Sequence, residues 1–593
     1  MIGRRHPVTP HWRSCLVPLP FTPVVDSDPS RPSAPKPAFR PASPPSGPAR
    51  PAGTVPAPTE RAKPPRVQSP PAFDRRPTED AGGGGSRTGT AQGGRNPWRW
   101  AVLGLALLGY VVVHMVLAGH LLEQVNVTDR EIRGGDQKHN MRLALQTRAD
   151  LQPDFDDGIT AALQRFVPHR TDGVVNPLWP WIAAWLADPE QEISPFERVT
   201  AEDREFFNRG RWFHVGLTAG FLLALGLAAG RVFSLPSTIN LVLLGGLGAL
   251  LPRATYFQPE PLFYIFFFLT WVGCLLLLRS NPLWLYLVTG LCAGIAYMAK
   301  GAVTPLLLAF VAVTGYRFVV GVLLPAHLGG GLHRVGSPFS WRNHFLGLLL
   351  VALAFAVVSG PRLHYSAERY GDPFHSYPSY WMWMDDFEQG YAWMMNHNNA
   401  ETLGALTADD KPSARNYLRE RPWSDVTGRL ADGTWAKTGE LLWPRTTTRR
   451  ADGPRPWKRL LDHRGWYLGG LLAVLAVAAL MLRLTPRAPE AGREPMEGDA
   501  GVMIIFVLGS AALYALAYGW YDPIGRGDRF MLSLYLPLAF SLIYGFEVLL
   551  NRMRRRRATR WPGAVALSAQ WLLTAVLVWR VVELLRWPTF DGA

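Results

Sequence analysis

Carboxylates and cations recur where apolar stretches of this chain begin or end. The segment Thr128-Asp-Arg-Glu-Ile-Arg-Gly-Gly-Asp136-Gln-Lys-His-Asn140 carries Asp129 and Asp136 directly after an apolar run. Asp172-Gly-Val-Val-Asn-Pro177-Leu-Trp-Pro-Trp181 enters a hydrophobic segment through a hinge-like turn. Thr255-Tyr-Phe-Gln-Pro-Glu260-Pro-Leu puts an acid at the mouth of another run. Lys300 lies between two apolar runs, and Arg362 and Arg529 border two more, with His364, Tyr365 and Arg526 close by in sequence. Carboxylates take a proton from a hydroxyl or an amine, and ammonium or guanidinium groups hold phosphate-like anions. Each position also has a plainer use. Asp136 follows two glycines and suits a helix N-cap, with Asp129 a weaker candidate of the same kind. Glu260 could be solvated at an interface, and Lys300 could lay its stem along apolar surface with the ammonium outward. Spacing alone leaves both uses open.

The elements that must position these groups are apolar and long. The chain has 593 residues, 48% of them hydrophobic, with 23 Trp and 28 Phe. A mean hydropathy near zero averages two unlike regions. Residues 1–97 are rich in Pro, Ala, Gly and Arg and hold few large apolar side chains, so they cannot bury enough surface to offset chain entropy and read as a disordered tail. Beyond them come apolar runs of about 16 to 25 residues, the length that crosses roughly 30 Å of hydrocarbon. They are Trp98–Leu122, Trp212–Val232, Thr238–Leu251, Pro261–Leu278, Pro282–Ala299, Ala302–Pro325, Phe345–Gly360, Trp466–Leu482, Val502–Tyr518, Phe530–Leu550 and Trp561–Leu585. The expected fold is therefore an all-α membrane protein of about eleven spans. It divides into the tail, a membrane module over 98–360 with a first external loop at 123–211, a loop or small cap over 361–465, and C-terminal spans over 466–593. The third run is short and Gly-rich and gives the weakest signal.

The net charge of +15 does not point to nucleic acid, because the basic residues sit in the tail and in loops beside apolar runs. Asn551–Arg560 holds six arginines in ten residues, which marks that end as cytoplasmic, where a polybasic loop also suits anionic membrane lipid. Threading back from it puts the basic tail, Arg279 and the Arg317–Arg342 loop on the same side and the C-terminus outside. Facing outward are Glu123–Arg211, Arg253–Glu260, Lys300, Pro361–Arg464 and Tyr521–Arg529. Ile159–Phe166 reads as an amphipathic helix, and Asn176–Leu186 as a re-entrant segment with its indoles among headgroups. Met1–Phe21, with four prolines and no continuous apolar core, does not read as a signal peptide, so the first span would serve for membrane entry. Cys15, Cys274 and Cys292 offer neither a disulfide framework in the external loops nor a metal-thiolate site.

In order and topology these elements resemble the GT-C superfamily of polytopic glycosyltransferases, in the branch of the protein O-mannosyltransferases and bacterial aminoarabinose transferases. That family carries Asp-Gln-x-x-Tyr-x-x-x-Ala in its first external loop. Here Asp136-Gln137-Lys-His139-Asn-Met-Arg-Leu-Ala144 is similar, with His139 or Asn140 where Tyr is usual. Pro177-Leu-Trp-Pro180, Glu260-Pro-Leu262, the Gly290, Gly294, Ala296, Lys300 pattern, Pro361-Arg362 leading to Tyr370-Gly-Asp-Pro373, and Arg529-Phe530 resemble further family elements in the same order. The likeness covers about 98–380 and 500–550.

The resemblance implies transfer of a sugar from a polyprenyl-phosphate donor to a hydroxyl or amine acceptor outside the bacterial cytoplasmic membrane, with inversion at the anomeric carbon. Asp136 would be the base, with Asp129 the other candidate, and Glu260 would orient the acceptor or a cation. Lys300, Arg362 and Arg529 would stabilise the leaving phosphate, and Gln137, His139, His364, Tyr365 and Arg526 would complete the substrate site. A lipid-phosphate leaving group does not require a divalent metal, and Asp385-Asp386 reads equally as a solvated acidic turn. Trp381-Met-Trp-Met384 suits cap core or interface anchoring better than sugar stacking. Two rival classes stay open. A transporter or flippase would need charges at mid-membrane depth or inverted repeats. A non-catalytic scaffold would use the tail to recruit cytoplasmic partners.

Overall fold

The computed structural model describes residues 97–151, 167–188, 190–191, 198–319, 341–442, 463–485, 497–525, 527–555 and 561–586. The Pro/Arg-rich tail, Ile159–Phe166, most of the Arg317–Arg342 loop, Arg526 and Arg556–Arg560 lie outside the described residues.

Regular structure among the described residues is helical throughout. α1 (Pro97–Gln124) is followed by the short helices α2 (Asp129–Ile132), α3 (Gly135–Asp150) and α4 (Leu178–Ala184). Then come α5 (Ala201–Ala229), α6 (Leu235–Ala254), α7 (Glu260–Arg279), α8 (Leu283–Ala299), α9 (Gly301–Phe318) and α10 (Trp341–Tyr370). A second non-spanning segment holds α11 (Tyr377–Trp381), α12 (Phe387–Asn396), α13 (Ala400–Gly404), α14 (Ala414–Glu420) and α15 (Trp423–Leu442). α16 (Arg464–Leu484), α17 (Glu497–Trp520), α18 (Tyr535–Arg555, after a 3-10 turn over Asp528–Leu534) and α19 (Trp561–Leu585) follow. Ten helices among the described residues are long and apolar enough to cross a membrane, so the chain is an integral membrane protein. α8, at 17 residues, is the eleventh apolar helix and rises roughly 26 Å.

The weakest apolar run is the most enclosed span. α6 extends beyond Thr238–Leu251 at both ends and contains a π-helical turn over Gly246–Leu250. Its glycines are spacers: a Cβ at Gly246 would lie 1.6 Å from the Tyr110 hydroxyl, and one at Gly248 would lie 2.1 Å from the Tyr535 ring. Short side chains here let two tyrosines pack against backbone. The same logic explains the Gly290 and Gly294 pattern of α8, where added Cβ atoms would lie 2.7 Å from Val351 O and from Val358 Cβ of α10.

Two expectations are corrected. The seventh run does not end at Gly360, since α10 continues through Pro361 to Tyr370. Proline removes one backbone donor from the helix, and the next residue, Arg362, bonds three other parts of the chain. Trp179 does not lie among headgroups either. It is fully buried, its ring 3.9 Å from that of His214 and 4.9 Å from that of Phe257.

The helix ends alternate between two sides of the bundle. One side gathers α2–α4, Lys300, α11–α15 and the 521–529 turn. The other gathers Arg99, the Gly230–Leu235 turn, Arg279 and the C-terminus of α18. The 361–442 segment folds around its own small cores. Tyr377, Trp381, Met384, Met394 and Leu403 pack with Ile524, and Tyr417 and Val426 pack with Trp520. Its acidic pair is divided, with Asp386 capping α12 and Asp385 paired with Arg421.

α15 meets α17 backbone to backbone, since a Cβ on Gly433 would lie 2.0 Å from Gly519 O. Gly433→Val is expected to lower the thermal unfolding midpoint in detergent by several degrees, the result of an overpacking cost of about 1–3 kcal/mol. Gly439→Ala, whose new methyl meets open space, should raise the midpoint slightly, since alanine is the better helix former.

Candidate functional site

The first inter-helix segment is fastened to the bundle before any charge is placed. Asn126 adopts φ 58°, a left-handed conformation that Asn tolerates. Its amide donates to Thr255 O at 3.2 Å. Gln137 donates to Asn126 Oδ1 at 3.2 Å and to Glu131 O at 2.9 Å, and its own oxygen accepts from the Phe257 N–H at 3.0 Å. The expected substrate contact at Gln137 is thus taken up by protein partners, and Gln137 locks α3 onto the 255–257 turn. Asp136 is not the N-cap; Gly134 is, and Asp136 is the second residue of α3. Its carboxylate instead pairs with Arg529.

Around that pair the charges converge. Glu260 begins α7, 2% exposed, with Oε1 3.2 Å from Lys300 Nζ and 3.9 Å from Arg529 Nη1. Its Oε2 is buried with no hydrogen-bond partner among the described residues. Burial lowers the Lys300 amine below its ordinary range, and the Glu260 carboxylate opposes that shift. Tyr264 donates its hydroxyl to Arg529 O at 2.6 Å, fixing the turn that delivers the guanidinium. Two carboxylates and two cations from four separate segments therefore meet at one end of the bundle.

Phe530 is the centre of this arrangement. Lys300 Nζ lies 4.9 Å from its ring centroid, the Arg529 guanidinium 5.0 Å and Lys437 Nζ 5.5 Å. Such positions over an aromatic face attract cations. Lys437 was not singled out by the sequence, yet its side chain is wholly buried. It donates to Gly525 O at 2.9 Å and pairs with Glu440 at 3.0 Å and Asp522 at 2.9 Å. One signal was available. Lys437 continues the buried face of α15 formed by Val426, Gly433 and Leu441, so a lysine occupies an apolar register.

The other expected residues divide. Arg362 is buried and clamps three segments, donating to Asn176 Oδ1 at 3.1 Å, Tyr297 hydroxyl at 2.8 Å and His375 O at 3.2 Å. Asp129 stands away from the cluster in an exposed pair with Arg204 at 2.5 Å, while Thr128 caps α2. His139 faces Asp172 at 3.5 Å. His364 is exposed beside Glu368 at 3.2 Å, and the Tyr365 ring lies 5.7 Å from that of His169. None of these three joins Asp136 and Glu260. Among the described residues no group of three or more His, Cys, Asp or Glu is placed to hold a metal ion, and Cys274 and Cys292 are free thiols. No protein-family model matches the chain, and no curated protein matches it.

Lys437→Met keeps volume and removes charge, leaving Asp522 and Glu440 facing one another without a cation. Stranding one side of a buried pair costs about 3–5 kcal/mol at most, and less here because the Asp522 side chain is 27% exposed. The thermal midpoint should fall clearly for Lys437→Met and less for Asp522→Asn, which leaves Glu440 and Gly525 O on the ammonium. Equal midpoints for Lys437→Met and wild type would contradict the assignment.

His375 provides a pH test. It is stacked on Tyr370 at 4.1 Å and edge-on to Tyr377 at 4.6 Å, and burial pushes its pKa down to about 4, with Asp372 and Arg362 acting in opposite directions. The unfolded ring takes a proton near pH 6.5 and the folded ring only near 4, so this contribution is complete above pH 6.5 and is lost as pH falls through that window. Thermal midpoints between pH 7 and 4.5 should drop more steeply for wild type than for His375→Gln.

Proposed function

We propose that this protein is a membrane glycosyltransferase of GT-C type, moving a sugar from a polyprenyl-phosphate carrier to a hydroxyl or amine on a protein, lipid or glycan acceptor. The observation that carries the reading is the meeting of Asp136, Glu260, Arg529 and Lys300 at one bundle end. By the arginine-rich 551–560 sequence, whose described start (551–555) lies at the other end, this site would face outward from a bacterial inner membrane.

In this scheme the acceptor oxygen or nitrogen bonds to the anomeric carbon as the carbon–oxygen bond to the carrier phosphate breaks. The electron pair of that bond leaves on the phosphate, and the acceptor's proton goes to the Asp136 carboxylate. One displacement inverts the anomeric centre. Arg529 is held by Asp136 before substrate arrives. An incoming phosphate competes for the guanidinium and leaves the carboxylate to act as base. Lys300 adds positive charge on the leaving side. Glu260 Oε2, buried and without a partner among the described residues, is an acceptor for a substrate hydroxyl.

The test compares transfer of labelled sugar from polyprenyl-phosphate donors in membranes holding wild type or Asp136→Asn at matched expression. Loss of a general base lowers the rate by about 10²–10⁴-fold, so Asp136→Asn should reduce transfer by that factor while Asp129→Asn leaves it within a few-fold. Equal transfer by wild type and Asp136→Asn would move the base to Glu260. Absence of transfer by wild type from every donor would favour transport or scaffolding. A product with retained anomeric configuration would exclude the single displacement.

A further inference from the structure

The opposite end of the bundle carries a second site of different chemistry. There α1, the Gly230–Leu235 turn, the last turns of α18 and the start of α19 enclose a cavity of about 320 Å3. Its polar lining is Arg99, Ser234, Glu547, Asn551 and Arg554. Its apolar lining includes Val232, Leu235, Leu567 and Trp571.

The polar lining is built rather than incidental. Arg99 is anchored through Nη2, which donates to Gly230 O at 2.8 Å and to Phe233 O, so the turn after α5 fixes its guanidinium. Glu547 is 4% exposed and accepts from the Ser234 N–H at 2.9 Å and from its hydroxyl at 2.5 Å. That carboxylate therefore caps the amino end of α6 and is held in place there. Arg554 makes no hydrogen bond or ion pair among the described residues. Two guanidinium groups thus border the space against one carboxylate whose acceptor capacity is partly used. Of the lining residues, Val232 is 69% and Trp571 42% exposed, and Trp98 at the start of α1 is 77% exposed. In a spanning bundle, helix ends flanked by exposed tryptophans lie at headgroup depth.

A free phosphate ion would use only the arginines. A ligand that uses both linings carries a phosphate joined to an apolar body and arrives from the membrane plane. We propose that this cavity binds the phosphodiester headgroup of a membrane phospholipid, with Arg99 and Arg554 on the phosphate and the glycerol and first acyl carbons along Leu567 and Trp571. The site lies a full span away from Asp136 and does not depend on the glycosyltransferase reading.

Native mass spectrometry of the full-length protein, stripped with detergent and then titrated with phosphatidylglycerol, tests this. Wild type is expected to hold one lipid most tightly, and Arg99→Gln with Arg554→Gln to weaken it roughly tenfold or more, the scale of a charge-assisted hydrogen bond. Arg555→Gln, at the same end but outside the cavity lining, should bind as wild type. If the double variant fails to fold, Arg554→Gln alone carries the comparison, because that side chain supports nothing else among the described residues. Equal lipid affinity in the double variant and Arg555→Gln would overturn the assignment. Displacement of the lipid by excess inorganic phosphate would overturn it too, in favour of a simple phosphate site.

Discussion

A carboxylate at the head of an apolar helix has to be answered before that helix can pack, and Glu260 is the residue that imposes this. At 2% exposure it has almost no water, and Lys300 and Arg529 reach the same oxygen from different segments. Lys300 is available because the chain breaks between α8 and α9, with Lys300 extended at φ −160°. Arg529 is available because the 521–529 turn is held by Tyr264 from one side and Lys437 from the other. Removing both cations would strand a buried charge, a loss of about 3–5 kcal/mol in comparable settings, and removing one leaves the other on Glu260. The breaks between spans at this end are therefore shaped by charge pairing as much as by apolar packing.

The remaining polar clamps repeat one pattern, a single side chain joining segments far apart in the chain. Gln137 ties α3 to the turn before α7, which brings Asp136 within reach of Arg529. Arg362 ties α10 to Asn176 and Tyr297 and, through His375 O, to the segment that follows it. Lys437 ties α15 to the 521–525 turn. Because each of these side chains is buried, movement of one segment would expose or strand polar groups in another. The 361–442 segment is bound into this scheme and is more than a loop between spans.

How much of this the sequence disclosed depends on the range of the interaction. Spans were legible because hydrocarbon thickness sets a length that apolar runs must match, and nearly every expected run lies within a helix. The run over 238–251 was weak for a physical reason: glycines that admit Tyr110 and Tyr535 lower the local signal while deepening burial. The loop expected from Pro361 onward begins instead as the last turns of α10, where Arg362 bonds Asn176, Tyr297 and His375. Asp136, Glu260, Lys300 and Arg529 were each visible as charges beside apolar runs. Their meeting was expected only through the family resemblance, because a pair 393 residues apart leaves no local periodicity. Asp129 was the weaker of the two candidates, and the structure separates them: Asp136 pairs with Arg529 while Asp129 pairs with Arg204. Lys437 was legible only to a reader who already knew the helical phase of α15.

Polar groups inside the spans are of another kind. His114 meets Thr218 at 3.1 Å, and Asn240 meets Gln570 at 2.7 Å while Gln570 also donates to Ser237 at 3.2 Å. These contacts join α1 to α5 and α6 to α19 through an imidazole, amides and hydroxyls, the kind of interhelical hydrogen bond that holds spans together without moving charge. A path for ions or charged solutes needs ionisable groups at depth that can exchange partners. Here the acidic and basic side chains that converge in clusters do so at the two bundle ends, one end rich in matched pairs around Phe530 and the other in arginines beside apolar side chains. Under the proposed glycosyl transfer, that separation would hold the charged groups at a membrane surface while a lipid-linked donor approaches along the bilayer.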